Sequence, residues 1–472
     1  MQPKFGTSGL RGLSADLVAG VGYAYAAAFS RFLIEEKLAA PGDAVLLGYD
    51  LRDSSPAIAR DCARAVAEAG LVPRDCGLLP TPALAFEAHR LGRAAMMVTG
   101  SHIPADRNGI KFYKPAGEID KADERAISER AAAGVASTPP TELPPTENGA
   151  SEALEGFRRR YLDAFPAGAL GGLRVGIYEH STVARDLLRE IVAGLGADVV
   201  PLGRSDIFVA VDTEATDPRT EENLRIWSAA HKLDAIVSAD GDGDRPLLAG
   251  AGGELVRGDV LGLLTAKALG ARVVVTPVTS SSGIESALDA EVVRTRVGSP
   301  FVIAGMDEAV NAGKTAVLGF EANGGVLAGT AFALGPRTLG ALPTRDSVLP
   351  ILAVLFTAAS RKVRVADLVE ELKLPVSRSD RVQDFPSDAG QRLLAELSGD
   401  VGKLQAFLGE IGQVASFDTV DGLRVALRDG PTIHFRASGN APEMRCYVEA
   451  DTPELADRLL ARGMAELREA RG

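Results

Sequence analysis

The sequence predicts an α/β protein in which three related mixed α/β domains are followed by a smaller C-terminal α+β domain. Segments beginning near 44, 173 and 272 each read as an apolar strand, a hydroxyl-bearing loop and an amphipathic helix, a recurrence that suggests repeated units with parallel sheets. The stretch after 375 changes rhythm to short alternating strands and a tight turn. A chain of 472 residues also exceeds what one hydrophobic core usually serves, so several domains are expected.

In the first unit, Ala44 to Asp50 is a strand, Leu51 to Pro56 a loop, and a helix follows to about Ala69. Ala94 to Val98 reads as a second buried strand that runs into Thr99, Gly100, Ser101 and His102. Open α/β sheets bind ligands at such strand ends, which makes Ser101 a candidate phosphoryl carrier, while an ordinary polar turn is the competing reading. The proline cluster from Ser137 to Thr146 reads as an extended connection. In the second unit Leu173 to Tyr178 is a strand, Ser181 and Thr182 lie on the loop, and Val183, Leu187, Leu188, Ile191, Val192 and Leu195 share a helical face. The third begins at Arg272 to Thr276, turns through Ser280 to Gly283 and enters a helix near Ile284. Charged and turn residues around Pro375 to Pro386 suggest a further break. Beyond it, Val414 to Phe417, Leu423 to Leu427 and Thr432 to Phe435 read as strands, with a hairpin near Asp429 and Gly430 and a last helix from Pro453 to Arg468. The expected domains are 1–148, 149–255, 256–374 and 375–472.

Hydrophobic residues at 46% and charged residues at 24% leave ample core material and no large disordered share. A net charge of -12 argues against non-specific binding to nucleic acid or anionic membrane, although a local basic pocket for phosphate stays compatible with it. Cys62, Cys76 and Cys446 form neither a metal-like spacing nor a disulfide framework. The N-terminus lacks a signal-like apolar segment, and the run from Val348 to Ala359 is too short to span a bilayer. A soluble cytoplasmic protein is expected.

Three further stretches carry chemistry. The largely apolar Asp234 to Ala239 leads into Asp240, Gly241, Asp242, Gly243, Asp244 and Arg245, whose crowded carboxylates repel unless a cation sits among them. Hard oxygen ligands favour Mg²⁺ or Ca²⁺, and an EF-hand is excluded because its sixth position is Arg245 and its twelfth Ala251. A solvated acidic turn is the alternative. After Ala316 to Leu318 comes Gly319 to Gly325, where Glu321 could accept hydrogen bonds from adjacent sugar hydroxyls, or Asn323 and Gly324 could simply make a hairpin. The fourth stretch runs from Arg436 through Ser438, Gly439 and Asn440 to Arg445. Two arginines, a hydroxyl and a glycine amide suit a phosphate monoester, and a plain connecting loop is the competing reading.

In order and spacing, these four stretches resemble the α-D-phosphohexomutases, the phosphomannomutase and phosphoglucomutase family. Phe5 to Gly12 and Gly48 to Arg52 are also similar to that family's first domain. The resemblance covers nearly the whole chain and implies four domains around a central cleft. It implies that Ser101 carries a phosphoryl group and hands it to a hexose phosphate through a hexose 1,6-bisphosphate, with Mg²⁺ held by Ser101, Asp240, Asp242 and Asp244. Arg11, Lys111 and Arg245 would stabilise the transferring group or relay its proton, with His102 a second proton candidate. Glu321 and Asn323 would read the sugar, and Arg436, Ser438, Gly439, Asn440 and Arg445 would clamp the other phosphate. A mobile fourth domain would let the intermediate turn around. The chain departs from the family where Gly100 and Ile103 replace Ala and Asn, where Gly325 replaces a His of the sugar loop, and where Asn440 and Ala441 replace Thr and Glu. The first expectation for the substrate is mannose 1-phosphate and mannose 6-phosphate, then glucose phosphates or both, then glucosamine phosphate. A Mg²⁺-dependent phosphatase and a catalytically silent sugar-phosphate-binding protein are the readings from other classes.

Overall fold

The computed structural model describes residues 4–6, 9–134, 141–438 and 442–471. Three sheets share one plan. In the first, the parallel strands run in the order Val72–Leu78, Ala44–Tyr49, Ala94–Val98, and Arg107–Lys114 adds antiparallel beside the last. The second repeats this with Asp198–Leu202, Arg174–Tyr178, Ala235–Ala239 and the antiparallel Pro246–Ala249. The third repeats it again with Glu291–Thr295, Val273–Pro277, Val317–Phe320 and the antiparallel Val326–Ala328. The threefold theme read from the sequence is thus a shared topology. It also has a consequence for the site: the serine loop, the aspartate loop and the glutamate loop each follow the third strand and precede the antiparallel one.

The elements form for local reasons. The all-buried runs Ala94–Val98, Ala235–Ala239 and Val273–Pro277 are continuous apolar strands covered on both faces, as parallel sheets require. Helix Ser55–Glu68 starts with Pro56 in its first turn, where the missing N–H costs nothing, and buries Ile58, Cys62 and Val66 along one stripe. Helix Arg185–Gly194 buries Leu187, Leu188, Ile191 and Val192 as the periodicity predicts. The third unit differs: its helix is a single turn, Ile284–Ala287, before the chain returns as strand Glu291–Thr295. The stretch read as a break at Pro375 to Pro386 contains strand Val376–Gln383, which pairs along its whole length with Glu443–Ala450. That strand is mostly solvent-facing, so its charges hid its β character. The last sheet continues through Thr432–Ala437, Leu423–Leu427 and Val414–Asp418, all antiparallel, and is covered by helix Pro453–Arg471.

One apolar core runs from Leu46 and Leu84 through Phe157, Ile177 and Val237 to Leu318 and Leu352, so the three α/β units are packed as a continuous body. The fourth sheet has its own core around Leu404, Ile433, Phe435 and Leu459. Among the described residues, the helical stretch Ser14–Glu35 is long and apolar enough to cross a membrane. It is interrupted at Gly20 and buries Phe29, Phe32 and Leu33 against the first sheet's outer core.

Gly262, in helix Gly258–Leu269, shows how the third sheet is placed: a Cβ there would lie 2.4 Å from the ring of Phe320, the residue before Glu321. Gly262→Ala is expected to lower unfolding stability by about 1–3 kcal/mol through overpacking, read as a lower urea midpoint at unchanged slope.

Candidate active site

Ser101 sits at the end of strand Ala94–Val98, almost wholly buried, with φ of 54°. That left-handed backbone is costly for a serine and persists only where its surroundings enforce it. The enforcement comes from two residues 49 and 51 positions earlier in the chain. The Asp50 carboxylate accepts from Thr99 Oγ1 at 2.7 Å and from the Gly100 amide at 3.3 Å, and Thr99 Oγ1 in turn accepts from the Ser101 amide at 2.8 Å. Arg52 is 1% exposed and donates to four carbonyls of the loop: Ser101 at 2.9 Å, Ile103 at 2.5 Å, Pro104 at 2.7 Å and Arg107 at 2.8 Å. Its guanidinium fills the space above Gly100, where a Cβ would come within 2.5 Å, and lies 4.0 Å from the ring centroid of Phe208.

The Ser101 hydroxyl donates to Asp240 Oδ2 at 2.5 Å and lies 3.3 Å from His102 Nδ1. Burial, and then the charge of Arg245, drive the His102 imidazole down to about 3, so its ring is neutral at pH 7 and a nitrogen is available as acceptor. Asp240, Asp242 and Asp244 are all buried, and their facing oxygens lie within 4.8 Å of one another. Asp240 Oδ1 closes the turn by accepting the amides of Asp244 and Arg245, both at 3.1 Å. The neighbouring units balance the rest of this charge. Lys111 Nζ lies 2.6 Å from both Asp242 Oδ2 and Asp244 Oδ2, and Thr81, at the start of helix Thr81–Leu91, donates to Asp242 Oδ2 at 2.5 Å. Burial and the two flanking carboxylates nonetheless push Asp240 well above the usual carboxylate range. Arg11 reaches Thr99 O at 2.8 Å, passing over Gly109, where any Cβ would strike it.

The aspartate triad suits a hard cation. Asp242 Oδ1 and Asp244 Oδ1 are buried and have no hydrogen-bond partner among the described residues, and every donor atom is a carboxylate oxygen. Beside them the buried Arg245 Nε is likewise unpartnered, 3.9 Å from Asp244 Oδ1.

Glu321 begins the turn after Val317–Phe320, and that turn is indeed a hairpin, closed by Gly324 N to Glu321 O at 3.0 Å. The hairpin and the site readings are therefore compatible: the turn sets Glu321 beside Arg345 and Asn323 beside Glu321. Arg345, at the end of strand Leu342–Asp346, makes the connection, donating to Glu321 Oε2 at 2.9 Å and to Asp244 Oδ2 at 2.8 and 3.0 Å. Arg436 and Arg445 stand directly opposite each other on the fourth sheet. Arg436 pairs with Asp421 and Arg445 with Glu443, both at 2.8 Å. Ser438 is buried and its amide bonds Glu443 O at 2.9 Å. Gly439 and Asn440 lie outside the described residues.

Direct contacts thus gather Ser101, His102, Lys111, Asp240, Asp242, Asp244 and Arg245, with Arg11 joined through Thr99, Glu321 through Arg345 and Asn323 through Glu321. Sequence reasoning gave no role to Asp50, Arg52, Thr81 or Arg345. Only the Asp50 to Arg52 stretch carried a signal, as part of the resemblance.

Comparison with known proteins agrees with this arrangement. Models of phosphoglucomutase/phosphomannomutase α/β/α domain I, α/β/α domain III and the C-terminal domain match residues 2–137, 257–374 and 362–466. The chain is 52% identical over 469 residues to a phosphomannomutase of Sinorhizobium fredii (strain NBRC 101917 / NGR234), covering 99% of both. It is 40% identical over 473 residues to a phosphomannomutase of Salmonella muenchen, covering 99% of this chain and 96% of the other. In fold it is similar to a phosphoglucomutase/phosphomannomutase family protein from Burkholderia thailandensis, with a TM-score of 0.73, 22% identity and coverage of 98% and 96%.

Arg52→Met leaves Asp50 buried beside an apolar side chain and four loop carbonyls without their donor. It is expected to cost about 3–5 kcal/mol, measured by urea unfolding.

Proposed function

The chain belongs to the phosphoglucomutase/phosphomannomutase family, the α-D-phosphohexomutases, and on that premise we propose that it interconverts mannose 6-phosphate and mannose 1-phosphate through a phosphorylated Ser101. An intramolecular phosphotransferase of the isomerase class needs a group that holds the phosphoryl between its departure from one oxygen and its arrival at another. Ser101 Oγ, 2.5 Å from Asp240 in an enforced left-handed backbone, is the observation that carries the reading. The choice of mannose rests on the full-length likeness to two phosphomannomutases. A phosphoglucomutase, or an enzyme serving both sugars, is the second reading, since the family includes both.

In the proposed cycle the free hydroxyl of a hexose phosphate attacks phosphorus on Ser101, the Oγ–P bond breaks, and a hexose 1,6-bisphosphate forms. The bisphosphate turns around, Ser101 Oγ attacks its other phosphorus, and the opposite monophosphate leaves. Positioning and charge neutralisation dominate such transfers. Asp240, Asp242, Asp244 and a phosphoserine oxygen would hold Mg²⁺, which supplies charge neutralisation at the transferring group. The unpartnered Arg245 Nε offers a donor to that group, Arg11 fixes the carbonyl before the serine loop, and Lys111 keeps Asp242 and Asp244 ionised. The neutral His102 offers a second acceptor, 3.3 Å from Ser101 Oγ, beside Asp240 Oδ2 at 2.5 Å. Glu321 and Asn323 take the sugar hydroxyls, and Arg436, Ser438, Gly439, Asn440 and Arg445 take the phosphate that is not reacting. The reading divides the chain into 1–148 for the serine, 149–255 for the metal, 256–374 for the sugar and 375–472 for the distal phosphate.

Purified protein treated with glucose 1,6-bisphosphate is expected to gain the mass of one phosphoryl group and to turn over mannose 1-phosphate with Mg²⁺. Ser101→Ala should lose both while keeping its fold, and full activity in that variant would overturn the scheme. Steady release of inorganic phosphate would indicate a phosphatase instead, and ligand binding with no phosphorylated serine a silent binder. Faster turnover of glucose 1-phosphate would assign the second reading. In wild type, Mg²⁺ at 100 times its dissociation constant should add about 2.7 kcal/mol of stability, seen as a raised melting temperature. Asp242→Asn should shrink that shift and the rate together; an unchanged magnesium requirement would remove Asp242 from the ligands.

A further inference from the structure

Arg345 belongs to none of the stretches that drew attention in the sequence, yet its 4% exposed side chain is the link between the aspartate and glutamate loops. Nη1 donates to Glu321 Oε2 at 2.9 Å, while Nε and Nη2 donate to Asp244 Oδ2 at 3.0 and 2.8 Å. The stem of Arg345 lies across Gly325, where a Cβ would stand 2.9 Å from Cγ and Cδ and 3.1 Å from Cβ. Gly325 is absent from the glycines with positive φ, so its backbone does not demand glycine; the room for Arg345 does. Asn323 completes the frame, accepting the Gly325 amide at 2.9 Å and facing Glu321 Oε2 at 3.4 Å.

We propose that Arg345 is the positioning residue for sugar recognition, fixing the Glu321 carboxylate in the plane in which it meets the hydroxyls of the hexose ring, and that Gly325 is glycine to admit it. A glutamate on a turn has several rotamers, and a planar guanidinium anchored at its far edge by Asp244 selects one of them before substrate arrives. The sugar loop therefore needs no side chain of its own at 325. A lysine cannot replace this, because one ammonium does not span both carboxylates with fixed planar geometry.

This inference rests on the sugar role given to Glu321 under the proposed function, and the two can fail separately. In the Ser101→Ala background, calorimetry measures binding of mannose 6-phosphate and of glycerol 3-phosphate, which carries the phosphate without the ring. If the background protein binds no mannose 6-phosphate and wild type turns over no hexose phosphate, the functional reading falls. If both hold, Arg345→Lys is expected to weaken mannose 6-phosphate about tenfold while leaving glycerol 3-phosphate within twofold. Gly325→Ala, which changes no charge and displaces only the Arg345 stem, should reproduce that selective loss. Combining Arg345→Lys with Glu321→Gln should add little beyond the worse single variant, because both remove one interaction. Equal losses for the two ligands, or additive losses in the double variant, would overturn the proposal.

Discussion

Three carboxylates buried side by side are the constraint around which this molecule is arranged. Two unit charges 4.8 Å apart repel by roughly 3 kcal/mol even in a medium of intermediate dielectric, before the cost of dehydration is counted. The second unit, which supplies all three, offers them its own Asp244 and Arg245 amides and the Arg245 guanidinium, and the other partners come from outside it. Lys111, Thr81 and Ser101 come from the first unit and Arg345 from the third, where Ser347 also donates to the Gly243 carbonyl of the loop. Assembly of the three units and tolerance of the acidic loop are therefore one event: separated, the loop would need water or a cation in place of each partner. The continuous apolar core beneath supplies the free energy that keeps those partners in place.

The repeated sheet plan explains how three loops far apart in sequence reach one point. In each unit the third parallel strand ends at the loop, and an antiparallel strand leads the chain back down. The carboxyl ends of parallel strands are where open sheets expose backbone amides and loops to ligand. Three copies of one topology thus present three different chemistries at the same structural address: a hydroxyl, a cluster of anions and a single carboxylate. The loops after the first strands do the bracing. Asp50 and Arg52 hold the serine loop, Thr182 Oγ1 donates to Asp240 O at 2.7 Å, and Ser281 N donates to Asp259 at the start of helix Gly258–Leu269.

Much of this was legible before any coordinates. Apolar runs marked the strands, and the loops that end them are built of common turn formers, so each alone read as a plain turn; the Asp–Gly alternation and the order of the four stretches together pointed to a site. The α+β tail was legible because its strands alternate around a tight turn. What the sequence did not reveal has a common cause. Thr81, Arg345 and the contacts of Arg52 act across 161, 101 and 49 residues, and each is a single residue whose local surroundings are unremarkable for a helix start, a strand end or a loop. No periodicity or spacing encodes such contacts. Glycines carry a weak trace of them: Gly100, Gly109 and Gly325 each lie under an arginine, Arg52, Arg11 and Arg345, whose passage a Cβ would block. Read from sequence, those glycines are only absences. Strand Val376–Gln383 stayed hidden for the opposite reason, since its exposed charges satisfy solvent and leave no alternation to read.

The fourth unit stands on different terms. Its core is separate, and its ties to the third unit include polar contacts: Ser282 N to the Glu449 carboxylate at 3.0 and 3.2 Å, and Val297 N to Asp421 Oδ2 at 2.9 Å. Such contacts exchange readily with water, whereas the apolar body shared by the first three units does not. Asp421 Oδ2 also accepts Arg436 Nε at 2.8 Å, so one oxygen both docks the unit and orients an arginine set opposite Arg445. Two guanidiniums paired across a ladder repel, and each is quieted here by an acid of its own unit. That single oxygen of Asp421 therefore ties the fourth unit to the third and balances the charge of Arg436.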